Sequence, residues 1–148
     1  MGSFKKSYHS LGEKKYIVSL IIVAIVFGGL FFTMRSSKVE LQGEAIKVSG
    51  AYGINIDIKD VKDVRLEETL PKNLSRTNGI DFFGQKYIGK FSSADLGKMK
   101  LFVYAAKGPY LHITLNNEDY KHIIIACKDA EETKSLYQSI VDIKNKTK

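Results

Sequence analysis

The sequence predicts a mainly β domain: a strongly bent antiparallel sheet or partial barrel of about seven strands, capped by one C-terminal helix and preceded by a membrane-spanning helix. Three observations predict this. The block from Tyr16 to Met34 contains no charged residue. Beyond it, apolar residues alternate with polar ones in short runs separated by turn residues, the pattern of half-buried strands. Near the C-terminus the period becomes helical, opened by Asp129 and Glu132 in the positions of a capping box.

The first element is the block 16–34, flanked by Lys14, Lys15 and Arg35 and apolar on every side. An interfacial helix needs a polar face, and a cleaved leader has a shorter apolar region with small residues at its end; this block has neither. At about 1.5 Å per residue it reaches roughly 28 Å, close to the hydrocarbon thickness of a bilayer. Lys5, Lys6, Lys14 and Lys15 precede it, and Arg35, Lys38 and Lys47 follow. That asymmetry places the tail, residues 1–15, in the cytoplasm and the remainder outside a cell membrane. Met1-Gly2 invites myristoylation, but Lys6 stands where the motif requires Ser or Thr.

A polar linker, residues 35–43, leads into the domain proper, residues 44–144, with 145–148 as a tail. Ile46 and Val48 flank Lys47, and Ile54, Ile56 and Ile58 alternate with polar residues across the Ser49-Gly50 turn. Val64 and Leu66 give a third strand and Tyr87 to Phe91 a fourth. Met99 to Ala105, then Leu111 to Leu115, then the apolar run Ile123-Ile124-Ile125 complete the set. Leu136, Tyr137, Ile140, Val141 and Ile143 recur at helical spacing, so the last element needs an apolar surface to cover. Residues 67–86 lack clean periodicity and are expected to form a long loop, a kind of segment in which function concentrates.

Composition narrows the functional classes. Hydrophobic residues make up 44% of the 148 and charged residues 26%, which suits a buried core. The net charge of +7 is split: residues 1–35 carry five basic residues and one acidic, and residues 36–148 carry 18 and 15. No basic stripe is concentrated enough to expect nucleic acid. A single cysteine excludes an intrachain disulfide and a thiolate-rich zinc site. His112 and His122 lie on neighbouring strands. A hairpin loop of two or four residues would put them on opposite faces, and one of three or five would align them. Two imidazoles are in either case too few for a closed metal site, and no metal or other cofactor is expected. Cys127 reads as a small buried hydrophobe rather than a nucleophile. The carboxylate pairs have adjacent lysines or turn and cap roles, and no phosphate loop is present. The expectation is a protein that is not an enzyme.

Candidate binding residues cluster in the long loop: Lys72, Arg76, Asn78, Phe82, Phe83 and Lys86, with Asp81 among them. Arg76 offers a planar fork of donors, and Asn78-Gly79 suits a positive-φ turn that exposes backbone amides. Phe82-Phe83 forms an aromatic patch, expected to have one ring buried and one exposed. In the structural alternative a Phe plugs the open end of the barrel and Arg76 pairs with Asp81.

Several short motifs, Gly50-Ala51-Tyr52-Gly53, Arg76-Thr77-Asn78-Gly79, Gly89-Lys90-Phe91, and Asp129 to Glu132 with Leu136-Tyr137, resemble the bacterial pleckstrin-homology-like (PH-like) family over roughly residues 40–143. The resemblance implies a sheet closed by one helix, beside a membrane. Phosphoinositide-binding relatives of that superfold carry basic residues in the first strand-turn-strand loop. Here that loop, Ser49 to Gly53, has none, and Lys47 and Lys59 merely flank it. The expected function is therefore a membrane-anchored interaction module with a protein or peptide partner. Binding of anionic lipid headgroups by the long loop is the alternative.

Overall fold

The computed structural model describes residues 7–34, 38–116 and 119–147. The chain divides into two units, residues 1–37 and residues 38–148. The first contains helix α1, Ser7–Met34, whose side chains are described over residues 14–29. Among the described residues no helix is long and apolar enough to cross a membrane. The membrane span expected over 16–34 is corrected accordingly.

The second unit is mainly β with a C-terminal helix, as expected. Its first sheet is an antiparallel ribbon of β1 (Val39–Gln42), β2 (Ala45–Val48) and β3 (Ile54–Asp57). β1 falls within residues read as linker; it forms because β2 pairs with it along its whole length, Val39 opposite Val48 through Gln42 opposite Ala45. Ile46, Val48 and Ile56 face inward and are buried, while Lys47 and Asn55 face water. Gly53 closes the turn after β2, where a Cβ would lie 2.5 Å from the Val48 carbonyl oxygen. A single 3-10 turn, Ile58–Asp60, is capped by the Asp57 carboxylate, which accepts from the Lys59 N–H at 3.1 Å.

The second sheet has six strands: β4 (Val61–Glu67), β5 (Ser75–Phe82), β6 (Lys86–Ser93), β7 (Gly97–Val103), β8 (Tyr110–Leu115) and β9 (His122–Ala126). Their spatial order is β4-β8-β9-β7-β6-β5. The expected antiparallel sheet is corrected at one pairing, which is parallel. β8 lands one place away from β7, and β9 enters the gap, antiparallel to β8 and parallel to β7. Two core layers result. Phe102, Leu111, Ile113, Ile123 and Ile125 face the first sheet, and Phe91, Met99, Leu101, Val103 and Ile124 face the other way. β9 is apolar at successive positions because both of its faces are covered.

Helix α2, Ala130–Lys146, follows β9. Asp129 caps it by accepting from the Glu131 N–H at 3.2 Å. Thr133 ties cap to strand: its hydroxyl donates to the Asp129 carbonyl at 3.2 Å and accepts from the Cys127 N–H at 3.0 Å. Leu136 and Ile140 bury their side chains in the first core layer, each contributing about 2 kcal/mol. Lys144, in the last turn of the helix, donates to the carbonyls of Val61 and Lys62, at 2.9 and 2.6 Å.

The expected loop over 67–86 is largely strand. Apart from the turn at 83–85, only 68–74 lies outside a strand, and Leu70 and Leu74 from it pack on the second core layer. β5 escapes detection by period because it is the sheet's edge: most of its residues are exposed, and a bulge between Arg76 and Asn78 breaks the alternation.

Candidate functional site

The six residues picked out above do not converge. Lys72 is exposed in the loop before β5, and Arg76 stands exposed near the start of that strand. Phe83 lies seven residues further on, about 23 Å along an extended chain. Phe82, Phe83 and Lys86 do come together, at the β5–β6 hairpin tip, where Phe82 pairs with Lys86 across the ladder. The tip is a β-turn closed by Gln85 N–H donating to the Phe82 carbonyl at 2.8 Å. Its central residues, Phe83 (φ 49°) and Gly84 (φ 71°), both have positive φ, the mirror-image turn that matches strand twist. The Asp81 carboxylate accepts from the Gly84 N–H at 2.9 Å and fixes the bend, so Asp81 serves the turn. Phe82 is half-buried and Phe83 is 95% exposed. The pair crowns a hairpin and plugs no barrel.

Asn78 lies apart from the tip. Its side-chain oxygen accepts from the Tyr52 hydroxyl at 3.1 Å, which leaves its amide hydrogens free to point elsewhere. Gly79 and Gly89 let β5 and β6 touch here: a Cβ on Gly89 would meet Asn78 O and Gly79 Cα, both at 2.6 Å.

A polar chain that the sequence left undecided runs across the sheet's second face. The register sets Thr114 opposite His122, so the connection after Leu115 has five residues and the two histidines share a face. His112 is only 1% exposed. Its Nδ1 is 3.0 Å from Glu67 Oε1, and its Nε2 is 2.9 Å from His122 Nδ1. Arg65 Nε donates to the same Glu67 oxygen at 2.7 Å. A carboxylate only accepts, which assigns the proton to His112 Nδ1; His112 Nε2 then accepts from His122 Nδ1–H. Arg65 Nη2 also lies 3.3 Å from His112 Nδ1. Burial raises the Glu67 pKa, but the hydrogen bonds from His112 and Arg65 outweigh it, and the carboxyl sits below its usual 4.5. Burial, then the neighbouring His112, Lys121 and Arg65, push His122 below 6.5 against the pull of Glu67. No group of three or more His, Cys, Asp or Glu among the described residues is arranged to hold a metal ion.

Cys127 lies on the link between β9 and α2. Burial raises its thiol pKa, and the hydrogen bond to Thr133 only partly opposes this. A protonated thiol is a poor nucleophile.

Compared with known proteins, the chain matches no family model, no curated protein and no solved structure. The resemblance to the PH-like family is therefore corrected. Its short glycine and aromatic motifs have local uses here, in the turn at Gly53 and the close approach of Gly79 to Gly89, which any sheet with such turns can share.

Proposed function

We propose that this chain is a non-enzymatic binding module that engages a protein or peptide partner through the β5–β6 hairpin. One observation carries the reading: Phe83, almost fully exposed, occupies a left-handed backbone position. A large side chain there costs about 1 kcal/mol relative to Gly or Asn, and the exposed ring gains nothing from the domain's own core. Exposed aromatic residues on a rigid support are the usual anchors of protein interfaces. Ile80, the other exposed large apolar side chain among the described residues of this unit, lies on β5, three residues before Phe83.

The reversed effects of one substitution test this. Phe83→Asn is expected to raise the melting temperature by a few degrees, because Asn suits positive φ. The same change should abolish photo-crosslinking of a partner to a probe placed at Lys86. Crosslinking that survives Phe83→Asn would refute the reading.

A further inference from the structure

We propose that the corner where β5, β6 and β7 meet the segment before β9 is a binding site for a phosphate group. Lys90 on β6 and Lys100 on β7 are directly opposite each other in the ladder, a pairing of like charges that destabilises a sheet. Both ammonium groups lean over one ring, Tyr120, at 5.3 and 4.9 Å from its centroid. They are thus within about 10 Å of each other, where 0.1 M salt screens their repulsion incompletely. Lys98 is two residues from Lys100 on the same face, opposite Ser92. Lys98 also joins Thr77, Asn78, Lys90, Phe91 and Tyr120 around a cavity of about 280 Å³.

The cavity lining holds two cations and no carboxylate, and the nearby acidic group acting on Lys90 is Asp119. Lys90 and Lys98 are cations, and because the Asn78 oxygen accepts from Tyr52, what Asn78 has left to offer a ligand is its amide hydrogens. The stems of Lys90 and Lys100 are half-buried, which holds their heads in place before a ligand arrives. The ion pairs formed among the described residues use Lys59, Arg65 and Lys134 and none of these lysines. The Tyr120 hydroxyl, and more weakly the charge of Asp119, holds Lys90 above the usual ammonium range, so it stays charged at neutral pH. Converging donors around a small cavity suit the oxygens of a phosphate ester. The site is distinct from the hairpin tip: Lys90 is four residues from Lys86, about 13 Å along β6.

The full chain, titrated with inorganic pyrophosphate in a calorimeter, should bind saturably and more weakly as salt rises. Lys90→Gln, Lys98→Gln and Lys100→Gln should each weaken binding about tenfold, while Lys47→Gln, on the outward face of the first sheet, leaves it unchanged. Lys98 is exposed, so its variant keeps the test valid should the half-buried positions affect folding. A parallel arm uses vesicles with and without phosphatidylglycerol. Site-dependent binding to pyrophosphate identifies a free phosphate compound, and site-dependent binding to the vesicles alone identifies a lipid headgroup. Absence of both, or equal loss in Lys47→Gln, overturns the proposal.

Discussion

Replacing His112 by Leu removes the middle of the chain Glu67–His112–His122 while keeping a side chain that fills most of the space. Two hydrogen bonds go: one to a carboxylate at 3.0 Å and one between imidazoles at 2.9 Å. A bond to a charged group contributes about 1.5–3 kcal/mol net and a neutral one about 1, and the apolar replacement recovers part of this. The expected loss at pH 7.5 is about 2–3 kcal/mol, read from urea denaturation followed by circular dichroism. Glu67→Gln keeps an acceptor for His112 and should cost about 1 kcal/mol. The pH dependence adds a second signature. His122 has a lowered folded pKa, so the unfolded chain takes up that proton first, and stability declines as pH falls from 6.5 through the folded value. Glu67 is also lowered, so its contribution is complete above 4.5 and is lost as pH falls through its folded value. The wild-type chain should therefore weaken in two stages on acidification, and His112→Leu should show a diminished second stage. A change within about 0.5 kcal/mol at pH 7.5 with both acid stages intact would refute the network as a source of stability.

Two further outcomes are expected. Gly89→Ala forces a Cβ into Asn78 O and Gly79 Cα at φ 124°, with backbone on both sides, and should cost more than about 3 kcal/mol in the same denaturation assay. Cys127, held protonated by burial, should resist alkylation in the native chain and react within minutes in denaturant; rapid native labelling measured by mass spectrometry would contradict its placement.

What sequence reasoning read well was set by local rules. The period of two over 46–48 and 54–57, and the cap at Asp129, depend on neighbours in the chain, and the structure repeats them; Ile58 instead opens the 3-10 turn, and over 111–115 the strand forms with both faces covered, so burial there does not alternate. Pairing does not depend on neighbours alone. That β9 lies beside β7 in parallel is a decision between distant strands, and an apolar run such as Ile123-Ile124-Ile125 announces burial without announcing partners. β5 was missed because an exposed edge strand lacks the alternation that burial imposes. The histidine chain hinged on a single residue of loop length. The lysine corner was not legible, because both parities of β7 are buried at 101–103 and the pairing of Lys90 with Lys100 is a cross-strand register that the chain order does not reveal. The grouping over 67–86 failed in the opposite way, because closeness in sequence along an extended strand means separation in space.

The order of the six strands also governs how the chain can be made. β7 and β8 are synthesised before β9, yet each relies on β9 for its hydrogen-bonding partner on one side. Until residue 126 has left the ribosome, the centre of the sheet is a gap bordered by two apolar strands with unpaired backbone, the arrangement that recruits strands from other chains. A chain truncated after β8 is not a smaller version of the domain but two open edges without their common neighbour. Its fate in a cell is association or degradation, and the last fifth of the sequence decides whether the rest becomes a protein.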